Sequence, residues 1–348
     1  MSGLCGIDFC GGYATINPGM FTHSREMNTH QTIPAVVCIV VAWALISCHG
    51  KNNMEKMAMK KENTGQVVRE PAVAGQFYPG RDSELRRDVV EYLSAVPAQK
   101  IDGQIAGLVS PHAGYSYSGR AAAYGYNLLK GKGFKRAIIL APSHRAAFRG
   151  AALSDADAFK TPLGLVPLDR EACAGLLSHE LYAKLPQAHE NEHSLEVQLP
   201  FLQEVLGDFT LVPVIIGQLR REDAETIASP LKKLLDGRTI IIASSDFTHY
   251  GAGFDYLPFT DNIRENLKKL DLGAVEIIQK RDAPGFNAYV ERTGATICGH
   301  YPIEILLEAL PNDARGHLLK YETSGDMTGD FSHCVSYVSM VFTVQQSR

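Results

Sequence analysis

The chain has 348 residues, of which 45% are apolar and 21% charged, and its net charge is -4. That is the composition of a globular protein with ample length for a large core, and it carries no basic footprint for nucleic acid. Seven cysteines are scattered without Cys-x-x-Cys spacing, which argues against a zinc ribbon or a disulfide framework.

Residues 1–68 read as an N-terminal extension. Within it, residues 33–48 form one apolar run, IPAVVCIVVAWALISC. The run is shorter than the roughly 20 residues of a spanning helix and better suited to the core of a signal peptide. It ends in LISC, similar to the lipobox of bacterial lipoproteins, so Cys48 is the expected site of a lipid anchor and Met20 or Met27 the expected start. A plain membrane anchor or a cleaved secretory signal is the alternative. If the run is a signal, the protein is membrane-anchored or exported; otherwise it is cytoplasmic. Residues 51–70 are polar and lysine-rich and read as a tether.

From residue 69 onward, apolar strands alternate with helical periods. The pattern predicts a helix over 83–96 with Ser83 as cap, a strand over 105–109, a helix over 119–130 and a strand over 136–141. Helices follow over 169–181 and over 193–206, the latter bent at Pro200. A strand is predicted over 209–216, a helix over 222–235 and a strand over 238–243. Residues 260–280 read as helix, and 298–310 as another with Pro302 in its first turn. Strands over 317–322 and 334–344 are expected to pair antiparallel. The alternation implies an α/β fold with a largely parallel sheet covered by helices on both faces. Residues 69–348 contain no visible repeat or linker and read as one domain.

Three of the strand runs end in the same way. LVSPHAGYSYSG places His112 just past one run, AIILAPSH places His144 past the next, and TIIIASSDFTHYG places Asp246 and His249 past the third. Ligands of open α/β sheets bind outside the carboxyl ends of the strands. If the three strands are parallel neighbours, their histidines converge, and neutral imidazole is a ligand for Zn, Cu and Fe. A lone loop histidine more often caps its own loop; the repetition of the Pro-adjacent construction raises the ligand reading to equal standing. Asp246 and His249 can serve as a carboxylate and an imidazole, or as an acid–base pair in which the aspartate orients the ring. They also fit an Asx-type turn.

Cys298, in ATICGHYPIE, stands at a predicted helix N-terminus, which favours thiolate and so a nucleophile or metal ligand. The plainer reading is a buried cysteine. His300 is a weaker candidate, since residues two apart in a helix do not share a face. ENEHSLEVQLPFL supplies Glu192, His193 and Glu196. His193 and Glu196 lie one turn apart and are able to touch, either beside a site or in a helix-start network. His179, His189, His317 and His333 have no partner motif. No dinucleotide fingerprint, phosphate-binding loop or serine-hydrolase elbow is present.

These same residues resemble the Memo family, whose bacterial and archaeal members are called AmmeMemoRadiSam system protein B. The resemblance spans residues 69–342, through REPAVAGQFYPG, SPHAGYSYSG, APSH, NEHSLEVQLPFL, SSDFTHYG, ICG and YETSGDMTGDFS. It implies a three-layer αβα sandwich with a central mixed sheet, related to class III extradiol ring-cleavage dioxygenases. It also implies that His112, His144 and Cys298 are metal-binding positions, that Asp246 and His249 are pocket residues, and that His193 is the helix-start histidine. His300 departs from the arginine that some relatives carry after the glycine. One transition-metal ion is implied, Fe(II) or Cu first and Zn second. The dioxygenases ligate non-haem Fe(II) with two histidines and a carboxylate. A thiolate in place of the carboxylate softens the site and argues against catechol cleavage.

The leading expectation is a metal-dependent redox protein, an iron- or copper-dependent oxidoreductase if it is an enzyme. His249 would act there as acid–base group, supported by Asp246 and His193. A metal-free enzyme with Cys298 as nucleophile and His249 as base is a second reading, and a non-catalytic peptide- or protein-binding cleft a third. The family's system name points to AMMECR-type and radical-SAM proteins as partners.

Overall fold

The computed structural model describes residues 65–345. In chain order its elements are β1 (Val68–Arg69), α1 (Asp82–Ser94), β2 (Gln104–Ser110), α2 (Tyr115–Asn127), β3 (Arg136–Pro142), β4 (Ala151–Leu153), β5 (Ala158–Thr161), β6 (Gly164–Pro167), α3 (Arg170–Leu176) and β7 (Tyr182–Lys184). They continue with α4 (Gln187–Glu190), α5 (His193–Glu196), α6 (Leu199–Leu206), β8 (Thr210–Ile216), α7 (Asp223–Lys232), β9 (Thr239–Ser244) and β10 (His249–Gly251). The last are α8 (Ile263–Gln279), α9 (Ala283–Thr293), α10 (His300–Ala309), β11 (Arg315–Thr323), α11 (Ser324–Thr328) and β12 (His333–Val344). The apolar run 33–48 and the proposed lipidation site Cys48 lie outside the described residues. Among the described residues no helix is long and apolar enough to cross a membrane.

Four nearly all-aliphatic strands, β2, β9, β3 and β8, lie side by side in that order and run parallel. A strand buried on both faces has no solvent side on which polar residues can alternate, so its sequence reads as a continuous apolar run. Successive side chains still point to opposite faces. Ile138 and Leu140 pack with residues of α3, α7, α8, α9 and α10, whereas Ala137, Ile139 and Ala141 pack with α1, α2, α5 and α6. The result is the three-layer α/β sandwich. The outer strands make the sheet mixed: β12 joins β2 antiparallel, β10 and β11 join β12 antiparallel, and β4 joins β8 antiparallel and pairs with β7. A separate three-stranded sheet is formed by β1, β5 and β6.

Three predicted helices are corrected. The helix expected over 193–206 is two, α5 and α6. Pro200 has no N–H to offer the carbonyl four residues back, and its ring crowds that carbonyl. The break falls just before it and leaves Gln198, the N-cap of α6, buried. The helix expected over 169–181 stops at Leu176; Ser178 Oγ donates to the carbonyl of Gly175, and Leu181 turns to φ 68° before β7. The helix expected from Cys298 begins at His300, with Gly299 as its N-cap, so Cys298 precedes it. The short strands β4 to β7 and β10, and the helix α9, lie where no element was predicted.

Candidate metal centre

Because β2, β9 and β3 are adjacent and parallel, their carboxyl ends open on the same edge of the sheet. His112 and His144 leave β2 and β3 there, with ring centroids 5.3 Å apart. His193, the first residue of α5, faces both, at 5.6 Å from His112 and 4.7 Å from His144. One ring nitrogen from each of the three lies within 4.8 Å of the others, among the described residues. His112 is buried, whereas the His144 side chain is 30% exposed, so the cluster opens to solvent on the His144 side.

The groups behind the rings favour ligation. His144 Nδ1 donates to Glu192 Oε1 at 2.9 Å, and the backbone N–H of His144 donates to Glu192 Oε2 at 2.6 Å. His193 Nδ1 lies 3.3 Å from the same carboxylate. Glu192 is the N-cap of α5 and also accepts from Ser194 N. A carboxylate holding the outer nitrogen of a ligating imidazole fixes its orientation and raises its basicity. Burial lowers the His112 imidazole well below its ordinary value, with His144, His193 and His249 adding to the effect. Burial, then His144, bring His193 down to about 4. Both rings are therefore neutral at neutral pH, the form that binds a metal. A donor set of clustered imidazoles, each backed by a polar partner, fits a transition-metal ion.

Burial works against ionisation of Glu192, but the hydrogen bonds from His144 and Ser194 prevail and bring its carboxyl from 4.5 down to about 2. A depressed carboxyl stabilises the fold fully above its unfolded value and loses that contribution as pH falls through the folded value. The contribution of Glu192 should therefore disappear between pH 4.5 and about 2. It is on the order of 3 kcal/mol. Urea unfolding of wild type and Glu192→Gln as a function of pH checks this. The stability gap should be widest above pH 5 and narrow toward about pH 2; parallel curves would contradict it.

Asp246 and His249 are both present at the edge, but they are not paired as an orienting couple. His249 Nδ1 donates to the carbonyl of Thr296 at 3.0 Å, and Thr296 Oγ1 bridges the backbone N–H and carbonyl of His249. Asp246 Oδ1 instead accepts from the backbone N–H of His112 at 2.7 Å, which ties the β9 loop to the β2 loop. Burial raises the Asp246 carboxyl, against the opposing pull of His249 and the N–H groups of His112 and Ala113. Between them, Thr248 is anchored by the fully buried Asp271 of α8, which accepts from Thr248 N and Oγ1 and from the Tyr321 hydroxyl.

Cys298 Sγ lies 3.1 Å from His112 Nε2 and 3.5 Å from the carbonyl of Asp246. It is half-buried, whereas Cys173 and Cys334 are buried. The expectation of a thiolate-favouring helix start does not hold in the metal-free protein. Burial, then the charge of Asp246, push the thiol well above its ordinary value, and these outweigh the N–H of Gly299. The imidazole next to Cys298 is that of His112 rather than His249. Glu196 does not face His193. It turns to the opposite side of α5, where it receives Arg69, Tyr78 and the backbone N–H groups of Ala72 and Val73. His300 donates to, or accepts at, no cluster residue; its Nδ1 meets the carbonyl of Ile297.

A family profile described as Memo-like protein matches residues 69–341, which includes every residue of this edge. The chain belongs to the Memo-like family. Among curated relatives, a MEMO1 family protein of Thermoplasma volcanium is 37% identical over 278 residues, covering 79% of this chain and 98% of the relative. A MEMO1 family protein of Methanopyrus kandleri is 37% identical over 299 residues, covering 79% of this chain and 99% of its own. The protein memo-1 homolog of Caenorhabditis elegans is 31% identical over 301 residues, covering 82% and 85%.

Within this family domain, the strand-end motifs gave the places of His112 and His144. The position of His193 inside the cluster follows from α5 lying over the end of β3. Three supporting residues were not singled out as such: Glu192, Gln198 and Ser244. Glu192 had a usable signal, an acidic residue immediately ahead of a helix start.

Proposed function

We propose that this Memo-like domain binds one transition-metal ion at the strand-end edge and acts as a metal-dependent redox protein. The observation that carries this reading is the approach of three imidazoles whose outer nitrogens are engaged by Ser244 and Glu192. His112 and His144 would hold the ion, with His193 or Cys298 completing the set. Fe(II) or Cu bound there would supply one-electron redox chemistry, with Zn the redox-inert alternative. The chain's own residues would do the rest. Glu192 orients His144, Asp246 fixes the His112 loop, and His249, whose Nδ1 donates to Thr296, would accept a proton at Nε2. The exposure of His144 would let a small molecule or peptide approach the site from solvent. Partnership with AMMECR-type and radical-SAM proteins belongs to the same reading.

A second reading is favoured by the Sγ–Nε2 contact: Cys298 as a metal-free nucleophile with His112 taking its proton. Metal analysis of anaerobically purified protein separates the two. Wild type should carry about one ion of iron or copper per chain, and His144→Ala much less. His317→Ala, whose ring bonds Thr343 away from the cluster, should keep its metal. Metal-free wild type that gains no metal on incubation would favour the cysteine reading.

A further inference from the structure

The ring of a neutral histidine carries its proton on one nitrogen only, and the choice decides which nitrogen can bind a metal. His112 Nδ1 lies 2.8 Å from Ser244 Oγ. A serine hydroxyl can donate or accept, so this contact alone leaves the proton unplaced. The surrounding groups place it.

Ser244 Oγ has three polar neighbours. One is the carbonyl of Ser194 at 2.6 Å, which can only accept. Another is Gln198 Nε2 at 2.8 Å, which can only donate. The assignment of that amide is fixed by an acceptor-only neighbour, and the Tyr126 hydroxyl is compatible with it. Its Nε2 also meets the carbonyl of Pro111 at 2.9 Å, and its Oε1 receives the Tyr126 hydroxyl at 2.5 Å. A flipped amide would set oxygen against the Pro111 carbonyl. The single proton of Ser244 therefore goes to Ser194, and both remaining bonds of Oγ are accepted ones. The third neighbour, His112 Nδ1, must then be the donor.

We infer that Ser244, oriented by Gln198 and the Ser194 carbonyl, is a positioning residue that holds His112 in the tautomer protonated at Nδ1. The lone pair is then on Nε2, which faces Cys298 Sγ at 3.1 Å in the cluster. In the metal-free protein that lone pair and the carbonyl of Asp246 at 3.5 Å are the two acceptors within reach of the Cys298 thiol proton. Tyr126, Gln198, Ser194, Ser244 and His112 are all buried, so no bulk water competes for these bonds. The network draws on β9, α2, the helix break before Pro200 and the β2 loop. The break between α5 and α6 thus has a use: it brings Gln198 to the back of the site. Other tautomers would leave the Ser194 carbonyl facing an oxygen without a proton between them, a buried polar group left unpaired.

The inference rests on the metal reading only for its consequence, and the test keeps the two apart. Metal-free protein with ring-labelled histidine is followed by heteronuclear NMR, with the His112 signals assigned by their loss in His112→Gln. Wild type should show the proton on Nδ1. In Ser244→Ala the acceptor is gone, and the Nε2-protonated form should appear. Zinc titration of the same samples should show a loss of affinity of about ten- to a hundredfold in Ser244→Ala, the size usual for a residue supporting a ligand. A wild-type spectrum with the proton on Nε2 overturns the inference, even if the alanine variant fails to fold. An unchanged Nδ1 proton in folded Ser244→Ala overturns it as well. The expected tautomers without zinc binding in wild type would support the inference and remove the metal reading.

Discussion

Glu196→Ala is expected to destabilise the domain by about 3–5 kcal/mol, the loss typical of breaking a buried ion pair. The Glu196 side chain is fully buried, and the Arg69 guanidinium beside it is 5% exposed. Its two oxygens receive Arg69, the Tyr78 hydroxyl and the N–H groups of Ala72 and Val73, so one carboxylate secures the whole stretch from Arg69 to Tyr78 against α5. Arg69 also donates to the carbonyls of His189 and Glu192. Removing Glu196 leaves a buried guanidinium with too few acceptors, which is why truncation costs far more than the net worth of the pair. The exposed Arg81–Glu84 pair is the natural comparison, and Glu84→Ala should cost less than about 1 kcal/mol. Denaturant unfolding of the two variants measures the contrast. A Glu196→Ala loss as small as that of Glu84→Ala would mean that the buried network does not hold the N-terminal stretch of the domain.

The second large effect concerns metal affinity. His112→Ala should weaken binding by more than the about ten- to hundredfold associated with a supporting residue. It removes a buried ligand that no exposed side chain can replace. The same titration tells which group completes the set. The Cys298 thiol is pushed up by burial and by Asp246, so it is protonated at neutral pH, whereas His112 and His193 are already neutral. Ligation by three imidazoles then releases no proton from these groups. Ligation by Cys298 must release one, because only the thiolate binds. The sign follows: with Cys298 in the set, affinity rises with pH until the thiol ionises unaided, and Cys298→Ser abolishes that rise. Calorimetry in two buffers of different ionisation enthalpy counts the proton.

The parts of this fold legible in the sequence are those where burial imposes a pattern. The runs of β2, β3, β8 and β9 are aliphatic because both faces are covered, and so their ends, with His112 and His144, could be located. The short strands were not legible for the same reason in reverse. β10 has three residues and β7 has three, too few for any period to show. The β5–β6 hairpin had a signal that periodicity missed: Pro162 and Gly164 in TPLG, with Gly164 at φ 124°. The strand-end edge where His112 and His144 meet His193 was legible in outline, and its wiring was not. Glu192 and Glu196 are four residues apart in one motif and do opposite things, one facing the histidines and the other facing Arg69. Local spacing cannot separate them, because the decision is made by Arg69, Tyr78 and the backbone of Ala72 and Val73, which meet Glu196 from a distant part of the sequence. A direct hydrogen bond between Asp246 and His249 was not decidable from spacing for the same reason. Their spacing suggested a pair, but the His112 backbone takes Asp246 Oδ1 and Thr296 takes His249 Nδ1, both from distant parts of the sequence.

The central claim is that the edge formed by β2, β3 and α5 holds a metal. Anomalous diffraction from crystals grown with cobalt(II) tests it most directly. The account predicts one peak per chain, bonded to Nε2 of His112 and His144 at about 2.0–2.1 Å, the range for metal–imidazole bonds. Peaks confined to other histidines, or a cluster left without metal at saturating cobalt, would contradict it.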